Sequence, residues 1–569
     1  MERFGTTNAK SKNSQNQSVK TSYLEAEVSI SRSEFLKLSS ATVGCLVSTP
    51  LIAQLTRHDN ADSILDALPR ELASSVRNRT CRTDLTPHVR KAIEDAPGRT
   101  LSFPAGRYTF DSSSLAQAGL RLPTKTRIRG VGDATQLVVT GDRPCTLFRP
   151  ALDASHITVS SLSAIGNNVQ GGSNNGGFFA CVLDAETASG DIEKIFIEDC
   201  LIDNFAAAAV VLFEHLGRAK TSTSRTLDDR FAMRNIGTRR NRYISRKGNI
   251  DGAGDIGTTS CFIEFNGYGG PILDAVINDY TMGARYIKQG VMVFGDVDRF
   301  TVAVREISEA GFEAAGVDAA AYGILLYAWS HLGPERCPRN AQLDLGIVSA
   351  WSCGIYLQGA QHVTGSADLI TGQSDKGDAS IPKAAVALNG ANDITLTFTA
   401  HANRQSLVVA APGAHLEPAA RASTRISITM ASQNAANAHI VLRPLSSLGD
   451  AGGIKLRGSL TGSGHGVVLW ETTDTNHGLV NVDLDMKIDV AGDAIRAATT
   501  YATPLHNSRF AGTWAAGGVL WRTNDGRNFK RILIEPVDRA RRGKAAFLLT
   551  NASNVTLLPT FPRAVRPDR

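Results

Sequence analysis

The chain has 569 residues, a formal net charge of +6 and 20% charged side chains. It is longer than one globular core usually grows, and its charge is too slight for a nucleic-acid binder acting through bulk electrostatics. No apolar run approaches a membrane span, so the length leaves either several domains or a solenoid whose coils bury their apolar faces against one another.

Residues 1–57 read as a leader. Met1 to Lys20 are rich in Ser, Asn, Gln and Lys and poor in core-forming side chains, which predicts disorder. SRSEFLKLSSATVG follows from Ser31, a charged segment leading into a short apolar one. It is similar to a twin-arginine export signal: Ser31, Arg32, Phe35, Leu36 and Lys37 match, while Ser33 stands where the second arginine belongs. The resemblance implies a periplasmic or secreted protein, and without export the protein is cytoplasmic. The eight cysteines form no CxxC and no paired-histidine spacing, so neither a zinc site nor a disulfide framework is expected.

Residues 58–110 form the predicted N-terminal capping region. DLTPHVRKAIEDAPG places Val89, Ala92 and Ile93 at helical spacing, and SFPAGRYTF then makes a strand and a turn. Phe103, Pro104, Ala105, Gly106 and Tyr108, followed by Gly130, Gly132 and Thr135 in RGVGDAT, resemble the opening of the pectate-lyase-like right-handed parallel β-helix superfamily. That resemblance implies a carbohydrate-active or carbohydrate-binding protein, since the superfamily includes lyases, polygalacturonases, glucanases, uronan epimerases, inulin fructotransferases and phage tailspikes. It also implies a homotrimer as a candidate assembly.

From residue 111 to residue 558 one phrase recurs at intervals of roughly 20 to 35 residues. SCFIEFNG, GVMVFGD, GILLYAWS, GIYLQGA and AVALNGA each read as a small residue, a short alternating strand and a turn; GVVLWET and GVLWRTN continue the series. A second strand lies between copies, as in FTVAVREI, AQLDLGIVSA, DITLTFTA and RISITMAS. Short strands at this period without helices between them predict an all-β fold, a right-handed parallel β-helix with a short N-terminal capping helix. The proline- and arginine-rich residues 559–569 are expected to lie loose.

Alternation of faces predicts the site. With Ile355 and Leu357 inward, one outward column reads Asp184, Phe213, Glu264, Phe294, Tyr327, Gln358 and Asn389, and its neighbour reads Val182, Val211, Phe262, Met292, Leu325 and Tyr356. Outward aromatics beside carboxylates suit sugar rings, which have apolar faces and polar rims. Coils ~4.8 Å apart put Asp184 and Glu264 roughly 10 Å apart at the backbone, and side-chain reach brings them toward the about 6.5–9.5 Å of an inverting glycosidase. The expected catalytic carboxylates are Glu264, Asp184 and Asp296. Phe213, Phe262, Phe294, Tyr327 and Tyr356 form the expected platform, with Arg285 and Lys288 as further substrate contacts.

The stretch from Arg218 to Lys247 is dense in arginine and reads as a basic loop walling a groove and attracting an anionic polymer. Asp251 and Asp255, which follow it, are alternative catalytic carboxylates. Gly464, His465 and Gly466 spell a GHG that reads as a turn histidine, since no DD pair lies one coil upstream. Three functions remain open. A glycoside hydrolase or related transferase uses two carboxylates and no cofactor. A polysaccharide lyase acts on a uronate polymer, its carboxylate neutralised by Arg or Ca²⁺. A tailspike-like binder needs the aromatic face alone. In each case the partner is a polysaccharide or oligosaccharide.

Overall fold

The computed structural model describes residues 61–569 except 117, 168, 170–175, 206–208, 220–224, 247–260, 313–320, 329–332, 334, 373–382, 410–420, 444–448, 470–476, 498–503, 524–526, 539–546, 550, 551, 553 and 559–569. The leader, Asp251 and Asp255 therefore lie outside the described residues.

The chain enters through two helices, α1 (Arg70–Arg77) and α2 (Thr86–Asp95). Asp84 accepts hydrogen bonds from the backbone N–H and the hydroxyl of Thr86, the first residue of α2, whose Val89 and Ile93 are buried. The expected capping helix is thus present, and α1 adds a second. Val76 of α1 lies so close to Gly106 that a Cβ there would meet it at 2.7 Å, which accounts for the glycine in FPAG. The two opening motifs are bonded to each other. The Thr135 hydroxyl donates to the Phe103 carbonyl at 2.8 Å and accepts from the Val131 N–H at 2.9 Å.

Beyond the helices the described strands pair in parallel, each with its counterpart one coil later. One short antiparallel pairing, Arg218 with Thr226, is the exception. Parallel pairing from coil to coil, from Asp62–Ser63 to Val555–Leu557, defines a parallel β-helix, right-handed as parallel crossovers are. In the first sheet, Cys261–Leu273, Gln289–Ala310, Tyr322–Tyr327, Cys353–Gln358 and Ala384–Asn389 stack in succession. In the second, Met233–Arg239, Val276–Gly283, the second half of Gln289–Ala310, Arg339–Ala350, Gln361–Thr371 and Asn392–His401 do the same.

Inward columns run Val211, Ile263, Val291, Ile324, Ile355, Val386 and Phe213, Phe265, Val293, Leu326, Leu357, Leu388, all buried. Burying each such side chain contributes about 1.5–3 kcal/mol, so the core is continuous along the axis. The small residue that opens each repeat is set by the opposite sheet. A Cβ at Gly323 would stand 2.4 Å from Val348, and one at Gly354 would stand 2.3 Å from Ile370.

The corner before the second sheet is turned on successive coils by Arg299, Asn340, His362, Asp393 and Arg425, each left-handed with φ between 51° and 57°. Polar contacts run along this edge. Arg299 bonds Asp274 at 2.8 Å, Asn340 bonds Asp298 at 2.7 Å, and Arg425 pairs with Asp393.

Candidate functional site

The observed register shifts the expected columns. Leu212 lies opposite Glu264, and Phe213 lies opposite Phe265. Phe213 is therefore turned into the core, stacked on Phe265 with ring centroids 5.3 Å apart, and is not an outward platform residue. A one-residue slip reverses every face of a strand. The run of alanines, valines, leucine and phenylalanine before Glu214 offers no alternation to set the phase. Phe262 is corrected likewise: it packs in the core against Tyr243, with ring centroids 5.3 Å apart.

The outward columns are Ala180, Leu212, Glu264, Met292, Leu325, Tyr356, Ala387 and Val182, Glu214, Asn266, Phe294, Tyr327, Gln358, Asn389. Two carboxylates thus meet on adjacent coils, Glu264 as expected and Glu214 in place of Asp184 or Asp296. The Asn266 amide nitrogen donates to Glu264 Oε1 at 3.2 Å and to Glu214 Oε1 at 3.4 Å, so these two oxygens are no farther apart than the two bonds laid end to end. The Asn266 carbonyl oxygen accepts the Tyr268 N–H at 3.1 Å, which fixes the orientation of the amide.

Both glutamates are only 8% exposed. Burial first, and the neighbouring Glu214 charge second, push the Glu264 carboxyl up to about 8. Aligning Phe213 of LFEH with Phe265 of EFNG would have placed both Glu214 and Asn266 from sequence.

The aromatics follow one coil on. Phe294 and Tyr327 meet edge to face at 5.6 Å, and Tyr322 packs on Tyr356 at 5.5 Å. The Tyr356 hydroxyl donates to Gln358 at 2.9 Å. Leu212, Met292, Leu325, Tyr327 and Tyr356 form an apolar cluster of their own, separate from the solenoid core and buried, so this face is closed to water.

The other expected residues lie elsewhere. Asp184 sits at a turn opposite Gly217 and accepts the Glu186 N–H at 3.1 Å. Asp296 is held by Arg339 at 2.6 Å and Arg336 at 3.4 Å, which makes it the centre of an ion-pair cluster and not a candidate acid. Arg285 is exposed and pairs with Glu309 at 3.4 Å. Lys288 is buried beside the first sheet, and burial lowers its pKa.

The arginine-rich stretch is not a loop over its length. It holds the strands Met233–Arg239 and Arg242–Ile244, and six of its arginines lie against carboxylates, most of them on preceding coils. Arg230 pairs with Asp228, Arg234 with Asp191, Arg239 with Glu198, Arg240 with Asp199, Arg242 with Asp133 and Arg246 with Asp203. Its charge is therefore largely spent on stitching coils together. His465 of the GHG accepts the Asp493 N–H at 2.9 Å, a structural contact at the start of a strand.

The fold makes this chain a parallel β-helix protein. No family model matches it, and no curated protein does. Among solved structures it is similar to the A-module of a mannuronan C-5 epimerase from Azotobacter vinelandii (14% identity, TM-score 0.38, 74% of this chain and 96% of that one). It is also similar to the Streptococcus pneumoniae surface protein and adhesin PfbA (12%, 0.42, 76% and 97%). A third is the tailspike protein of E. coli bacteriophage HK620 in complex with a pentasaccharide (10%, 0.45, 88% and 80%). Identities this low leave the chemistry of the site to its own residues.

Proposed function

We propose that the protein is a carbohydrate-active enzyme that cleaves or rearranges glycosidic bonds of a polysaccharide, with Glu264 as general acid and Glu214 as base or nucleophile. The observation that carries this reading is the buried pair bridged by Asn266, with one carboxyl raised to about 8. At neutral pH such a carboxyl holds its proton and can give it to a leaving oxygen, while Glu214 beside it supports a developing oxocarbenium ion or activates water. Asn266 donates to both and so favours neither exchange of roles nor separation of the pair. The buried aromatic cluster on the following coils keeps water from the pair and so holds the proton on Glu264. The lyase reading loses its main support because the arginines expected to neutralise a uronate are engaged in ion pairs along the coils.

The test is product analysis on neutral and uronate-containing polysaccharides, following reducing ends together with absorbance in the unsaturated-uronate band. New reducing ends without that absorbance are expected. Glu264→Gln and Glu214→Gln should each lower kcat by about 10²–10⁴, and the wild-type rate should fall as pH rises past about 8, where Glu264 loses its proton. Full activity in Glu264→Gln, or the appearance of unsaturated product, would overturn the assignment.

A further inference from the structure

We propose that the outward face of the second sheet, at its N-terminal coils, carries a binding strip for an acidic polysaccharide, made of Lys125, Arg127 and Arg129. The strip lies on a different sheet from Glu264 and Glu214 and stands or falls apart from their assignment.

The segment KTRIRG alternates. Thr126, Ile128 and Gly130 are buried, and Lys125, Arg127 and Arg129 are exposed. Arg127 and Arg129 stand roughly 7 Å apart along the strand, and Lys125 holds the left-handed corner before them, with φ 66°. Arg127 faces Thr100 on the preceding coil and Thr158 on the following one, and Arg129 faces Ser102 and Ser160. Among the described residues none of the three cations has an ion pair or a side-chain hydrogen bond. Elsewhere along this sheet arginines meet carboxylates on an adjacent coil, as in Arg239 with Glu198, Arg299 with Asp274, Arg457 with Asp483 and Arg509 with Glu535.

Three exposed cations without a facing carboxylate form a positive strip whose complement is a polyanion. The flanking positions decide which one. Thr100, Ser102, Thr158 and Ser160 offer hydroxyls and no exposed apolar or aromatic side chain. The strip therefore lacks the apolar centre of a protein interface, the apolar anchor of a lipid-bound surface and the stacking rings of a single-stranded nucleic-acid site. An acidic glycan needs cations for its carboxylates or sulfate esters and neutral groups for its hydroxyls, and both are present. Each guanidinium can give two parallel hydrogen bonds to one oxyanion. The strip ends one coil further on, where Glu198 pairs with Arg239 and the Arg239 guanidinium lies over the Phe196 ring at 3.8 Å.

The test passes the full chain over immobilised polygalacturonate, dextran sulfate and neutral dextran. The acidic polymers are expected to retain it and neutral dextran to let it pass, with retention falling as salt screens the exposed charges. Lys125→Gln, Arg127→Gln and Arg129→Gln together should weaken acidic binding about tenfold. Lys455→Gln, Lys487→Gln and Lys530→Gln together remove the same charge from exposed positions on distant coils and should leave binding as it was. Circular dichroism checks that each triple variant folds, and the single substitutions at exposed Arg127 and Arg129 serve if the first does not. Retention on polygalacturonate alone assigns carboxylates as the recognised groups, and retention on dextran sulfate alone assigns sulfate esters. Equal losses in the two triple variants would mean bulk charge and overturn the strip. So would full acidic binding in the first variant, no preference over neutral dextran, or tighter binding to a duplex DNA fragment or to phosphatidylserine vesicles than to either acidic polymer at the same salt.

Discussion

Glu264 owes its proton to two neighbours of opposite kind: an apolar cluster that strips its water and Glu214, whose charge it faces across Asn266. The same raised pKa acts on stability. Between the ordinary carboxylate range and about 8 the folded chain holds a proton at Glu264 that the unfolded chain has released, so stability falls as pH rises through that window. Asp279, buried and bonded to Thr238, Asn241 and Tyr243, is pushed up to about 6 by burial and acts in the same direction up to that pH. His439 acts oppositely: burial lowers it to about 4, so its contribution is lost as pH falls from about 6.5 through 4. Urea midpoints should therefore decline from about pH 6.5 to 9, and Glu264→Gln should flatten the decline. An unchanged slope in that variant would mean that Glu264 is ionised at neutral pH. Glu264 was legible in sequence because a charge interrupts an alternating strand. Glu214 was not legible from alternation, because its strand is apolar on both faces, and only alignment of its neighbour Phe213 with Phe265 of the next coil places it.

At the scale of the coil, the repeated small residue was legible and its cause was not. GIYLQGA begins with glycine because Ile370 of the next strand occupies the space a side chain would need. Gly354→Ala should destabilise the protein by about 1–3 kcal/mol, read as a lower midpoint of chemical denaturation, since the branched methyl of Ile370 and the Ala385 carbonyl both stand in the way. The left-handed corner was invisible in sequence for a different reason. Its positions hold arginine, asparagine, histidine and aspartate on successive coils, and only asparagine and aspartate advertise that conformation. What these residues share is polarity at an exposed edge where neighbouring coils can be tied. The capping helix α2 was legible from three apolar positions. Helix α1 was not, because only Ala73 and Val76 of its eight residues are buried.

Over the whole molecule, the architecture was legible because one strand pattern repeats, whereas the electrostatics were not. The sequence from Arg218 to Lys247 is conspicuously basic, but most of the paired arginines find their carboxylates on preceding coils, dozens of residues off in sequence, as Arg240 and Asp199 show. A solenoid whose coils touch only their neighbours should unfold from its ends. Hydrogen exchange is expected to release amides of Phe547–Leu549 and Val555–Leu557 first and those of Tyr322–Tyr327 and Cys353–Gln358 last. Simultaneous exchange of both groups would show that the described coils behave as a single cooperative unit.

Seven cysteines, from Cys81 to Cys353, are free and buried. Among the six with resolved shifts, burial pushes every thiol up, Cys337 to about 11 and Cys145 and Cys200 to about 12, so the attacking thiolate is scarce. The described coils therefore carry no redox dependence in their folding free energy. A reductant such as dithiothreitol should leave the melting temperature where it was, and the same solenoid can stand in a reducing or an oxidising compartment without change of covalent structure.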